Sequence, residues 1–314
     1  MKPTPPRGMA LLIVLVITAM MALVVSRMQA SWPLVYERTQ KTFNDQEVKW
    51  LLLGSEAAIQ HQQQAVLTAS VSLATQQLRL DDALVHYKVR DGQACYNLNA
   101  ITASKTASVS QKLSRSQRVF FTLLRELGVE EARAKTLTWS LTDWTDPDSH
   151  TLNNDPEAQA YQHYRPPLAP ANRMLLEASE IRVLNGMDRD LYQRLAPLVC
   201  TLPDKRLRIN INALTTEQLP LLQAMFFGEL SRPQAQSFLA SRPSEGWNSG
   251  DTLPPLMTIS DSTRNSAMKA IVLQSDYFLL EQWLEDDRSG HQLRTLWQRR
   301  EKQLTVINRQ FTVE

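Results

Sequence analysis

Residues 7–25 read RGMALLIVLVITAMMALVV, and the fold begins with how that run ends at each side. From Met9 to Ser26 no side chain is charged. Extended to Ala30 across Arg27, the run spans roughly 30 Å of hydrocarbon at about 1.5 Å per helical residue, enough to cross a bilayer. Lys2 and Arg7 precede it, which puts the amino end in the cytoplasm by the positive-inside bias and sends Ser31 onward to the far side. An ordinary export signal ends in a small-residue cleavage site after the apolar run. The only candidate here, Met28-Gln29-Ala30, is poor because Met28 is not small and Arg27 intrudes. Gly8 stands instead at the cytoplasmic end, directly before the run, where a plain signal anchor gives it no purpose.

The rest of the chain is long enough for one large domain or two to three small ones. The whole chain's 34 basic and 32 acidic residues leave a net charge of +2, so no global field favours nucleic acid or an acidic membrane surface. Nine glycines and sixteen prolines fit a helix-rich folded protein with several loops. Cys95 and Cys200, once across an inner membrane, lie where disulfides form and persist. Spacing alone leaves two buried free thiols as the alternative.

From Ser31 to about Leu73 the sequence favours helix, with an apolar set at Val48, Leu51, Leu52, Ala58 and Ile59 and a break expected near Trp32-Pro33. Alternation from Leu84 to Val89, then Asp91-Gly92 and a second run, predicts a β-hairpin. Helical patterns dominate from about Ala100 to Ser275. Strand-like runs return after it, with a turn at Asp287-Arg288-Ser289-Gly290 and a final strand from Thr305 to Val313. The expected division is therefore a leader (1–8), a transmembrane and stem helix (9–65), a first piece of sheet (66–100), an inserted helical domain in two subdomains (101–275) and closing strands (276–314). The two subdomains are inferred from an internal echo, Asn97-Leu98-Asn99-Ala100-Ile101-Thr102 and Asn210-Ile211-Asn212-Ala213-Leu214-Thr215, with Thr215 and Gln218 in capping-box spacing.

A charged leader, Gly8 and a retained apolar helix resemble the signal of type IV prepilins. Adding Tyr96-Asn97-Leu98-Asn99-Ala100, Glu180-Ile181-Arg182-Val183-Leu184-Asn185-Gly186-Met187-Asp188 and Ile209-Asn210-Ile211-Asn212, the chain resembles over nearly its whole length the K-type minor pseudopilins of the bacterial type II secretion system. The resemblance implies an α+β fold: a stem helix, a pilin-like domain with a small antiparallel sheet, and a large helical insertion. It also implies cleavage after Gly8 by the prepilin peptidase, methylation of the new amino terminus on Met9, and a place in the inner membrane with the bulk of the chain periplasmic. The implied partners are the I-type and J-type minor pseudopilins and the major pseudopilin, with no nucleic acid. Counted from Met9, the fifth residue is Ile13, where most members of the wider group carry glutamate. A buried charge is costly unless paired, so a subunit without it need not dock beneath another, and its expected place is the filament tip. The role so implied is assembly and export, not catalysis. The competing class is a membrane-anchored periplasmic enzyme or a calcium-dependent binding protein unrelated to filaments.

The residues 143–157 are rich in hard oxygen donors: Asp143, Asp146, Asp148, Asp155 and Glu157, with amides between them. Calcium takes roughly six to eight such ligands, although this loop lacks the EF-hand glycine and closing glutamate. Composition alone favours a solvated acidic turn with helix caps; the family resemblance reverses that and implies a calcium site, with Asp146, Asp148 and Glu157 matching most closely and Ala158 standing where an acidic residue is common. Leu184-Asn185-Gly186-Met187-Asp188 is similar to the hairpin of helix-hairpin-helix DNA-binding modules, but Asp188 would repel a phosphate there. His61, His86, His150, His163 and His291 are scattered without metal spacing.

Overall fold

A computed structural model describes residues 7–63, 74–80, 83–102, 113–148, 161, 162, 164–255, 258–284, 290–301 and 303–313. It opens with one helix, α1 (Arg7–Gln63), which is exposed along its apolar first half. Among the described residues only its last turns meet the rest of the protein, where Leu52 and Ile59 are buried and Val48 and Leu53 pack beside them. The break expected near Trp32-Pro33 does not occur, and helix runs through Pro33. Proline deletes one backbone hydrogen bond, and propagation along a helix of this length outlasts that single loss.

Strands β1 (Gln76–Leu80) and β2 (Ala83–Asp91) follow. The chain then enters the insert through β3 (Tyr96–Asn97), α2 (Arg115–Glu126), α3 (Glu131–Thr145), α4 (Arg189–Leu195) and β4 (Val199–Cys200). A second unit comprises β5 (Ile209–Asn210), α5 (Leu219–Met225), α6 (Arg232–Ala240), α7 (Asp261–Met268) and β6 (Ile271–Val272). The chain returns as β7 (Tyr277–Leu284), β8 (His291–Arg300) and β9 (Gln303–Val313).

β1, β2, β7, β8 and β9 form one antiparallel sheet in that order, so strands from both sides of the insert complete it. Period-two alternation turns Val85, Tyr87 and Val89 of β2, Phe278 and Leu280 of β7, and Leu293 and Trp297 of β8 toward α1. Burying Leu52 and Ile59 against them contributes about 2 kcal/mol each.

The hairpin expected across Asp91-Gly92 is not formed. Asp91 does turn the chain, its Oδ1 accepting from Gln93 N at 2.7 Å. But β2 is an inner strand with both edges taken by β1 and β7, and the run after it pairs elsewhere: Tyr96–Asn97 lies parallel to Val199–Cys200. Gly92 is pressed against the returning strand so closely that a Cβ would lie 2.9 Å from the Tyr277 carbonyl oxygen. The final strand starts at Gln303, two residues before the expected Thr305. Of the turn expected at Asp287–Gly290, residues up to Ser289 lie outside the described residues, as do 64–73 at the end of the expected stem.

The sequence echo is a structural repeat. β3 with β4 and β5 with β6 are each two-residue parallel pairs. Asn97 Oδ1 accepts from Asn99 N at 3.1 Å, and Asn210 Oδ1 from Asn212 N at 3.0 Å, each opening a short 3-10 turn. The second asparagine of each pair ties its own unit together. Asn99 Nδ2 donates to the Leu175 and Leu202 carbonyls at 2.9 and 3.0 Å, while its Oδ1 accepts from Leu175 N at 2.7 Å. Asn212 repeats this with the Trp247 and Leu273 carbonyls at 2.8 and 3.0 Å and Trp247 N at 2.8 Å. Capping boxes, Ser114 with Gln117 and Thr215 with Gln218, start the helical stretches that follow.

Candidate functional site

The apolar helix is the only one among the described residues long and apolar enough to cross a membrane. Gly8 lies in its first turn, and Met9, next in sequence, is 64% exposed. Ile13 is exposed within the same apolar surface, which the other described residues leave uncovered. An apolar surface of this size is stable against hydrocarbon or against other apolar helices, not in water.

At its other end the helix is seated through polar contacts as well as Leu52 and Ile59. Ser55 Oγ donates to Gln282 Oε1 at 2.7 Å, and Gln60 Nε2 donates to the Leu304 carbonyl at 2.6 Å. Arg309 Nε donates to Glu56 Oε2 at 2.7 Å, and Glu56 is only 1% exposed. His291 Nε2 lies 3.4 Å from Asp45 Oδ1, and His86 stacks on Trp283 at 5.8 Å. His61 is exposed, while His150 and His163 lie outside the described residues. Sequence reasoning passed over Glu56 because nothing near it in the chain reveals a cation 253 residues away.

The acidic stretch begins in the last turns of α3 with Asp143 and continues through its C-cap, Asp146, to Asp148. Asp155 and Glu157 lie outside the described residues. Asn172, in a left-handed conformation at φ 47°, folds back on this turn: its amide donates to the Trp144 carbonyl at 3.0 Å and its Nδ2 to the Asp148 carbonyl. Asp146 Oδ1 and Asn172 Oδ1 are both buried and find no hydrogen-bond partner among the described residues. Burial, and then repulsion from Asp148, push the Asp146 carboxyl up to about 6. Orphaned oxygen acceptors, mutually repelling carboxylates and the carbonyl end of a helix are donor chemistry that fits a hard cation such as calcium. Among the described residues, no three His, Cys, Asp or Glu side chains are gathered closely enough to hold a metal by themselves. Asn172 was missed from the sequence, since only the fold brings it to the acidic turn.

Cys95 and Cys200 are joined in a disulfide beside the β3–β4 pair. In the hairpin at 184–188, Gly186 has φ 90° and its carbonyl accepts from Arg133 Nε at 2.8 Å. Asp188 Oδ1 accepts from Leu191 N at 2.8 Å, and its other oxygen pairs with Arg133. The Leu191 amide, then Arg133, hold this carboxyl below the usual carboxylate range.

Two family models, both described as type II secretion system protein K, match residues 94–204 and 209–274, which coincide with the Asn97 and Asn210 units. Among curated relatives, the type II secretion system protein K of Klebsiella pneumoniae is 31% identical over 98% of this chain and 97% of its own length. The protein of the same description from Dickeya chrysanthemi is 29% identical over 97% and 96%. The structure is similar, with a TM-score of 0.78 and 27% identity, to a chain of the crystal structure of the GspK-GspI-GspJ complex from the enterotoxigenic Escherichia coli type 2 secretion system, covering 88% of this chain and 99% of that one.

Proposed function

Because this chain belongs to the type II secretion system protein K family, we propose that it is a minor pseudopilin at the tip of the secretion pseudopilus, helping to start its assembly and the export of folded proteins. The observation that carries the proposal is the joining of an exposed apolar stem to a sheet interrupted by the two-unit insert, an arrangement similar to a chain of a solved three-protein complex. The I-type and J-type minor pseudopilins are the proposed direct partners, and the major pseudopilin adds beneath. The role is assembly, with no catalysis ascribed to the chain.

The family and the one membrane-length apolar helix among the described residues support a single-pass inner-membrane protein. In the proposed orientation Lys2 and Arg7 stay in the cytoplasm and the sheet and insert are periplasmic, in keeping with the Cys95–Cys200 disulfide. Maturation after Gly8, with methylation of Met9, and a calcium ion bound by Asp143, Asp146, Asp148, Asp155 and Glu157 belong to the same proposal. Calcium would neutralise repelling carboxylates and cross-link the end of α3 to the loop after it. Mass spectrometry of the amino terminus tests the assignment. N-methylmethionine at Met9 is the expected result, whereas an intact Met1 or a start at Ser31 would point to an anchored protein unrelated to filaments.

A further inference from the structure

The insert meets the sheet at a neck where three passages of chain converge: residues 91–93 leaving β2, 208–210 entering β5, and 275–277 returning to β7. Asp91 touches all three. Its Oδ1 accepts from Gln93 N at 2.7 Å and from Ser275 Oγ at 2.6 Å, and its Oδ2 accepts from Asn210 Nδ2 at 2.8 Å. Gln93 adds a second set of ties, its carbonyl accepting from Asn210 N at 2.9 Å and its Oε1 from Asp276 N at 2.6 Å. Asp276 in turn pairs through Oδ2 with Arg208 Nη1 at 3.1 Å, and its carbonyl accepts from Arg299 N at 2.7 Å, which extends the network to β8. Gly92 N donates to the Tyr277 carbonyl at 2.9 Å, so the outgoing and returning strands touch without room for a side chain.

A flexible tether between two units needs none of this. Burial at the neck raises the Asp91 carboxyl above its ordinary value, against the pull of its hydrogen bonds. A desolvated carboxylate is a costly way to fill space, and an apolar residue would fill it at less cost. Three charge-assisted hydrogen bonds, one within its own passage and one to each of the other two, supply directionality, which apolar packing does not. The Cys95–Cys200 bridge closes the first unit just beyond the same point, with Cys95 Sγ 3.2 Å from the Gly92 carbonyl.

We propose that Asp91 is the positioning residue of a rigid joint that fixes the angle of the helical insert against the stem and sheet. The joint is a property of the single chain, so it stands or falls independently of the place of the subunit in a filament. Its test uses the full chain in detergent with spin labels at two exposed positions, Arg79→Cys on β1 and Arg189→Cys on α4. Double electron–electron resonance then reads the distance distribution between sheet and insert. A single narrow distribution is expected for the doubly labelled parent. Asp91→Asn turns an amide donor toward the Asn210 amide, and Asn210→Asp sets two carboxylates face to face; each is expected to widen the distribution about twofold through local opening. Combining Asp91→Asn with Asn210→Asp restores one donor and one acceptor and is expected to restore the narrow distribution, which a general loss of stability would not do. The joint is overturned if either single variant stays as narrow as the parent, or if the exchanged pair stays as broad as the singles. Should the single variants fail to fold, the exchanged pair decides alone: folded and narrow supports the joint, anything else overturns it.

Discussion

Glu56 on the stem helix and Arg309 on the last strand are hydrogen-bonded at 2.7 Å, the carboxylate sealed against the sheet and the guanidinium half exposed. Removing one partner of such a pair leaves a buried charge uncompensated, whereas replacing the carboxylate by an amide keeps an acceptor for Arg309. Arg309→Met is therefore expected to lower stability by about 2 kcal/mol, below the fully buried range because water reaches the arginine, and Glu56→Gln by less than about 1 kcal/mol. Urea unfolding of the chain in detergent checks both. Equal loss in the two variants would mean that the charge does not seat the stem.

Asn99 and Asn212 each make three hydrogen bonds that close their own unit. Asn99→Ala strands buried backbone groups and is expected to cost about 2 to 4 kcal/mol, with Asn212→Ala somewhat less because Asn212 is only half-buried. Hydrogen exchange should locate the damage: faster exchange near Leu175 and Leu202 for the first variant, near Trp247 and Leu273 for the second. Uniform acceleration across both units in either variant would contradict the repeat.

These two pairs mark the limit of what a one-dimensional reading reaches. The apolar run from Met9 to Ser26 was legible because the absence of charge is itself the signal, and the Asn97 and Asn210 motifs were legible because each cap is closed within two residues. Glu56 and Asn172 were not, since their partners are supplied by distant chain. Asp91-Gly92 misled because an Asp-Gly turn is a local signal, while Tyr277, far along the chain, decides where the strand after it goes. Trp32-Pro33 misled in the opposite sense: a local breaker was outweighed by helix on both sides.

The Cys95–Cys200 bridge closes a loop with a sequence separation of 105. Restricting the unfolded chain over such a loop contributes about 2 to 4 kcal/mol. Cys95→Ser combined with Cys200→Ser should melt correspondingly lower, and reductant should shift the parent but not that variant. No difference between reduced and oxidised parent would remove the bridge from the stability of the fold.

In the proposed calcium site Asp146 would link stability to both pH and the ion. Its folded pKa is raised, so the stabilisation tied to its protonated form is complete below the ordinary value of 3.8 and is lost as pH rises through about 6. A cation replaces the proton, so in chelator the protein should lose stability between those pH values, and added calcium should restore it above about 6 but not near 4. Asp146→Asn with Asp148→Asn should abolish the calcium-dependent shift in melting temperature and flatten the pH dependence. A calcium shift of unchanged size in that variant would place the ion elsewhere.

Ile13 carries the last prediction. It lies on an apolar helix surface that the other described residues leave uncovered, and a carboxylate there would enter hydrocarbon at a cost that only a paired cation offsets. In a subunit with neighbours above it, a free amino terminus would be that cation. A tip subunit has no such neighbour, and an apolar residue lets it join its partners by stem packing alone. Ile13→Glu is therefore expected to be cleaved after Gly8 as the parent is, yet to assemble poorly with the I-type and J-type partners and to reduce secretion. Ala19→Glu, deeper in the span, should chiefly disturb insertion, which separates a loss of membrane residence from a loss of tip assembly. Cysteine crosslinking in assembled filaments gives the decisive readout: if this chain is captured along the shaft as often as at the end, the missing carboxylate does not mark the tip.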